Sequence, residues 1–270
     1  MAFQQFMLAA VNASDALMLG FVSQESLSAV SLATQITFVF NLFMGGLTMG
    51  TSILAAQYYG KGDTLSIEKI FAYVTKVSFL ISAVFFLASL FVPQLLMRIF
   101  TAEPRLIAGG ILYLRIAAAS YLFTGISQIY LCILKNTGHA VKSMIIGSTA
   151  VVINIFLNAA LIYGIFFSPK MGISGAALAT SISKLIELAW VHGESLRKNH
   201  VRLHGKFCFT GDRILSGDYW RYSLPMLGDY LVWGMGFTMY SVIMGHLGSD
   251  AVAASSIANI VKNLTREVTL

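Results

Sequence analysis

The sequence predicts an all-α membrane protein, a polytopic helical bundle made of one six-helix lobe and the first one or two helices of a second. Three observations predict this. The 270 residues are 57% hydrophobic and only 11% charged, far from the roughly 25% charged content of a soluble domain. The apolar residues fall into runs of about 20, the length that crosses a hydrocarbon core. The chain also carries a weak internal repeat.

Candidate spans lie near residues 3–22, 29–56, 70–92, 107–134, 143–167, 173–193 and 223–247, and an eighth begins near Ala251. Span one is expected to be truncated, since Met1 enters it with almost no lead-in and no basic signal-peptide region precedes it. The connections after spans two, four and six hold Lys61, Lys69, Lys135, Lys142, Arg197, Lys198, Arg202, Lys206, Arg213 and Arg221, whereas the opposite connections hold Arg98, Arg105 and Lys170. The positive-inside rule makes the first set cytoplasmic and places the N-terminus there too. The net charge of +6 therefore reports topology in an inner membrane and not a nucleic-acid partner.

Residues 194–222 are the one long polar stretch and read as a cytoplasmic linker between lobes, giving a lobe over 1–193 and the start of a second over 223–270. Laying Gly20 onto Gly245 superimposes LGFVSQESLSAVSLA (19–33) on MGHLGSDAVAASSIA (244–258), with Ala29 on Ala254, Ser31 on Ser256 and Ala33 on Ala258. Six spans separate the copies, so both run in the same direction, as in parallel-repeat transporters.

Span one contains Asp15, and no lysine or arginine precedes Lys61. A lone carboxylate at bilayer depth costs about 2.5–3.5 kcal/mol on insertion scales, so it faces a partner or a water-filled cavity and marks a candidate site. Gln5 and Asn12 share its helical face. In span two, Thr34, Asn41, Gly45, Thr48 and Ser52 recur at helical spacing; small and hydroxyl residues on one face serve helix packing as readily as binding. Arg115 lies well inside span four, where it could neutralise a buried acid. Span five places Asn154 and Asn158 one turn apart, and in span six Lys184 and Glu187 are spaced to neutralise each other.

In span seven, Asp229, Trp233, Gly236 and Tyr240 share a face that suits an organic cation through charge and cation–π contact; an interfacial aromatic belt is the alternative. Gln35 and Asn41 of span two join these as candidate substrate contacts. Lys262, Arg266 and Glu267 fall where the first repeat is apolar or neutral. Cys132 and Cys208 offer neither a disulfide nor a metal-ligand spacing. No catalytic triad, HExxH, P-loop or Gly-rich dinucleotide motif occurs, which argues against an enzyme, against ATP-driven transport and against a resident cofactor.

The segments VNASDALMLGFVSQESLSAVSLATQ (11–35), SILAAQYYGKGD (52–63), INIFLNAALIYG (153–164), GISGAALATSIS (172–183) and PMLGDYLVWGMGF (225–237) together resemble the multidrug and toxic compound extrusion family, in particular its NorM-like branch. The resemblance implies twelve helices in two lobes around a cleft, and export of cationic drugs by a monomer in exchange for protons or sodium ions. It matches Asp15 to the family's helix-one carboxylate, Asn154 to its helix-five asparagine, Thr180 to a helix-six threonine and Asp229 to a helix-seven acid. Sodium binding at Asp15 fits the same reading. Asn158 departs from the branch that carries a second carboxylate there. The remaining acids of the second lobe would lie beyond Leu270, so the chain by itself is expected to be inactive. The alternatives left open are a lipid-linked oligosaccharide flippase of the same superfamily and, from another class, a seven-helix receptor or scaffold acting through its 194–222 loop.

Overall fold

The computed structural model describes residues 14, 18–164, 170–197, 201–203 and 213–268. The expected first span therefore lies almost wholly outside the described residues, apart from the helical residues 14 and 18–20. The described elements are helices: α1 Gln24–Gly60, α2 Thr64–Phe91, α3 Pro93–Phe100, α4 Pro104–Leu134, α5 Ala140–Tyr163, α6 Ile173–Ser195, α7 Arg213–His246 and α8 Ser249–Val268. By length and composition, α1, α2 and the stretch Pro104–Tyr163 can each cross a membrane.

Local chemistry sets the helix ends. The Ser23 hydroxyl caps α1 by accepting from Ser26 N at 3.0 Å, and the Asp63 carboxylate caps α2 by accepting from Ser66 N at 3.1 Å and from the Ser66 hydroxyl at 2.6 Å. Such caps satisfy amides that the first helical turn leaves without partners. Pro93 and Pro104 occupy first-turn positions of α3 and α4, where a missing N–H costs nothing. Between α4 and α5 the chain turns at Thr137 and Gly138. Gly138 has φ 83°, a left-handed conformation that glycine adopts freely, and it packs against the Tyr59 ring and hydroxyl.

The helices form a bundle around α4, which packs against α6, α2 and α1, while α7 lies along α1 and α5 along α6. The bundle is apolar on the outside. On α2, Ser78, Ser82 and Ser89 are fully buried while Phe79, Leu80, Val84, Leu87 and Phe91 are exposed. That inversion suits lipid, where helices associate through small residues and internal hydrogen bonds and not by hiding hydrocarbon from water. The Ser78 hydroxyl donates to Gly125 O of α4 at 2.7 Å. Phe40, Phe85 and Tyr121 lock α1, α2 and α4 together, with ring centroids 5.1–6.0 Å apart.

A tight helix approach forms the seam between α1 and α7. A Cβ at Gly45 would meet the Tyr230 ring, one at Gly46 the Leu227 backbone and one at Gly50 the Ser223 hydroxyl; on the other helix, one at Gly234 would meet Leu42. Deeper along the seam Tyr219 is fully buried and donates to Leu47 O at 3.1 Å, while Trp220 donates to the Tyr73 hydroxyl at 2.8 Å.

This seam explains a difference from the expected elements. Hydropathy sets span seven at 223–247, with 194–222 as linker, yet α7 starts at Arg213. Its first ten residues are too polar to register as a membrane span, but Leu215, Tyr219 and Ser223 recur every four residues and bury one face on the neighbouring helices. The helix continues through Pro225, which membrane helices tolerate when neighbours satisfy the freed carbonyl. The short helix α3 also has no counterpart among the expected spans; eight residues are fewer than a span needs.

The helix order places Lys61, Lys135 and Arg197 at one end of the bundle and Arg98, Arg105 and Lys170 at the other, hereafter the basic end and the opposite end. At the opposite end the two copies of the internal repeat touch. Gln24 donates to Asp250 at 2.7 Å and the Ser28 hydroxyl to Ser249 O at 2.8 Å, joining the starts of α1 and α8. Nearby, Arg105 pairs with Glu25 at 2.8 Å across two well-exposed side chains. Lys262 of α8 stands over the Phe237 ring at 5.4 Å; the side chains of Arg266 and Glu267 lie outside the described residues.

The seam and the α2 cap can each be tested. Gly46→Leu should lower the thermal unfolding midpoint in detergent, because overpacking a tight seam costs about 1–3 kcal/mol, whereas Gly60→Ala, with open space around the new methyl, should not. The hydrogen bonds from Ser66 hold the Asp63 carboxyl below the usual carboxylate range. Its contribution to the start of α2 is therefore present above the unfolded value of about 3.9 and lost as pH falls through the lower folded value. Protection of the Ser66 amide against exchange, taken relative to the intrinsic rate at each pH, should fall over that acid range, and Asp63→Asn should remove the dependence.

Candidate functional site

Two of the polar residues expected to form a cation site, Asn154 and Asn158, lie where α5 crosses α6. Asn154 and Asn158 project from successive turns of α5, 6% and 0% exposed. Their one-turn spacing lets the Asn158 amide donate to Asn154 Oδ1 at 3.1 Å. Asn154 in turn donates to the Ser183 hydroxyl of α6 at 3.2 Å, and Ser183 donates to Thr180 O at 2.9 Å. The Thr180 hydroxyl turns back to Ala176 O at 3.0 Å, so Thr180 contributes its carbonyl to this chain of bonds while Ser183 supplies the side-chain contact. Ser183 is absent from the candidates read from sequence, although it lies one turn after Thr180 on the same helix. Asp15 lies outside the described residues, as do Gln5 and Asn12. The residues that follow Asp15 reach α5 near its far end: Met18 O accepts from the Tyr163 hydroxyl at 3.0 Å, and Leu19 is buried.

The residues present suit a small hard cation chemically. Amide and hydroxyl oxygens are the ligand type that hard cations use, and burial between two helices strengthens each bond by lowering the local dielectric. The amides themselves carry no charge.

The expected substrate face lies on α7. Asp229, Trp233 and Tyr240 are exposed. Trp233 packs on Phe237 with ring centroids 4.6 Å apart, and both rings approach Phe38 of α1 at 6.2 Å. The structure thus groups Trp233 with Phe237 and Phe38, two rings absent from the candidates read from sequence. Gln35, one turn before Phe38, is half-buried. Asn41 instead faces α4, where it accepts from Gln128 at 3.4 Å.

The polar stripe expected on span two does not serve one purpose. Gly45 packs on α7, Thr34 and Thr48 donate back to their own helix, and Ser52 lies 3.2 Å from Cys132 and accepts from Asn136 at 3.1 Å. Most of the stripe is packing. Arg115 is exposed on the outer side of α4.

Further charges are buried in α6. Glu187 pairs with Lys184 at 2.8 Å, as the three-residue spacing predicts, and also accepts from Ser127 of α4 at 2.7 Å. Glu194 pairs with Lys142 at 2.7 Å and with Arg197 at 3.3 Å. The Tyr130 hydroxyl and His192 Nδ1 are 3.1 Å apart.

Known proteins share this arrangement of helices. The MatE family model matches residues 1–160. Multidrug resistance protein PmpM of Pseudomonas aeruginosa is 27% identical over 258 residues, covering 94% of this chain and 54% of its own length. A probable multidrug resistance protein NorM of Thermotoga maritima is 23% identical over 253 residues, covering 93% and 54%. The chain spans about half the length of the curated relatives it matches. Among solved structures, an inward-facing multidrug resistance MATE family transporter of the MOP superfamily superposes with a TM-score of 0.82 at 22% identity, over 95% of this chain and 57% of that one. The MATE multidrug transporter DinF-BH superposes with a TM-score of 0.87 at 18% identity, over 99% and 59%. With more than half of its length matched by the family model, and with the multi-pass helical bundle those transporters share, the chain belongs to the MatE family of multidrug and toxic compound extrusion proteins.

Proposed function

We propose that the chain forms the ion-coupling lobe, and opens the second lobe, of a secondary active transporter that exports organic cations in exchange for inward-moving protons or sodium ions. The observation that carries this reading is the buried Asn158–Asn154–Ser183 network inside a bundle whose exterior is apolar. Polar groups held at that depth in a membrane protein mark an ion or substrate path. The PmpM and NorM relatives, named as multidrug resistance proteins, support drugs as the cargo.

In this reading the basic end faces the cytoplasm, as the positive-inside rule demands, and so does the N-terminus, in a bacterial inner membrane. The first six spans form one lobe and α7 with α8 begin the other, joined by the stretch before Arg213. Asp15 supplies the titratable charge that the amides lack. Asn154, Asn158 and the Thr180–Ser183 turn hold the ion beside it. Asp229 and the Trp233, Phe237 and Tyr240 rings present charge and π-faces to the drug, where each cation–π contact contributes about 0.5–2 kcal/mol. Outward-facing, the site takes up its ion and releases drug; inward-facing, the exchange reverses. A flippase for lipid-linked pyrophosphates would want cationic groups on this face, and the face carries Asp229 instead.

The test is ethidium efflux from energised vesicles holding the complete transporter, under separate proton and sodium gradients. Asp15→Asn should insert and fold yet lose coupled efflux, and parent-like export by that variant would overturn the mechanism. Ser183→Ala should weaken coupling and lower stability by about 1–3 kcal/mol, since it leaves a buried amide donor without its acceptor. The midpoint of thermal unfolding and the efflux rate check both parts.

A further inference from the structure

Glu187 is a buried carboxylate that the cation-site reading does not use. It lies one turn beyond Ser183 toward the basic end of α6, and its side chain is 3% exposed. Ser183, Glu187 and Glu194 fall on one face of α6 at spacings of four and seven. That face therefore carries polar groups near the Asn154–Ser183 bond and again near the helix end at the basic loops, with buried Val191 between Glu187 and Glu194. The charged and titratable groups facing it come from three elements. From α4 comes Tyr130, beside Ser127; from α5 comes Lys142; from α6 itself come Lys184, His192 and Glu194, and from just past its end Arg197.

Stability is a weak reason to keep such a pair. Replacing a buried ion pair by apolar residues of similar volume is often neutral or stabilising, because the desolvation of two charges offsets their attraction. Intramembrane ionisable residues that persist are characteristic of ion paths and proton relays. The geometry also suits exchange. The Glu187 oxygens are held by a hydroxyl at 2.7 Å and an ammonium at 2.8 Å, and the Lys184 side chain is 28% exposed, so one edge of the pair reaches the surface of the bundle.

We propose that Glu187 is an intermediate proton acceptor, passing the coupling proton from the Asn154–Ser183 end of α6 toward the basic end. This deepens the antiporter reading and rests on it. With Lys184 as ammonium, the carboxylate state of the pair is neutral overall. Accepting one proton makes Glu187 a neutral acid and the pair net +1, and releasing that proton to water at the basic end restores the starting state. No other group is consumed. Ser127 and Lys184 are positioning residues, each holding one oxygen of the carboxylate.

The experiment uses the complete transporter in vesicles and compares Glu187→Gln and the double variant Lys184→Met/Glu187→Met with the parent. Ethidium binding and thermal unfolding report the fold, and acid-jump efflux with an internal pH dye reports coupling. The relay predicts that both variants fold and bind ethidium while proton-driven efflux and drug-linked proton entry fall by about tenfold or more, the scale on which proton-transfer groups act. It also predicts that Glu187→Asp keeps part of the activity with a displaced pH profile. A purely structural staple predicts parent-like efflux and an unchanged pH profile from any folded variant, and either folded variant transporting at the parent rate overturns the proposal. Absence of proton-driven efflux in the parent overturns the relay, and absence of both proton-driven and sodium-driven efflux overturns the antiporter reading as well; both are distinguishable because they appear without any substitution.

Discussion

The constraint on which this structure depends is that hydrocarbon offers no hydrogen bonds. A polar group carried to membrane depth is costly to leave without a partner inside the protein, so the bundle is organised from its polar residues outward. Serines and glycines line the helix contacts, and phenylalanines, leucines and valines cover the exterior. Ser78 on Gly125 O, Tyr219 on Leu47 O and Asn154 on Ser183 are instances of one rule. The same rule turns Thr34 and Thr48 back onto their own helix, where a carbonyl of the preceding turn accepts the hydroxyl.

The rule also decides how close helices come. The α1–α7 seam has glycines on both helices because the approach leaves no room for a Cβ. It joins α1 to α7, so it brings the Trp233–Phe237 rings against Phe38. At the opposite end the repeat copies meet through Gln24 and Asp250. Asp250 is the counterpart of Glu25, so the equivalent helix starts of the two repeats face each other there. The repeat copies thus contact each other through like elements.

Buried charge follows the same logic with higher stakes. Glu187 and Glu194 each sit with at least two partners within 3.3 Å. The carboxylates inside α6 are reached by an ammonium, a guanidinium or a hydroxyl, supplied by α4, α5, α6 itself and Arg197 just past its end. The network therefore runs along α6, the helix held between the other two.

The sequence by itself determined the helical class, the approximate place of most spans, the alternation of basic connections and the family, because runs of about 20 apolar residues and a one-sided distribution of lysine and arginine are properties of composition along the chain. It also determined the pairs that a single helix encodes: Asn154 with Asn158 and Lys184 with Glu187 are three or four residues apart and meet whatever surrounds them. Tertiary structure decided the rest. The start of α7 at Arg213, the Ser183 partner of Asn154 and the Ser127 partner of Glu187 depend on which helices cross and how closely. So does the division of the span-two stripe between α4 and α7. Those contacts join residues tens to hundreds of positions apart, and helical periodicity, which is local, carries no information about which face meets which.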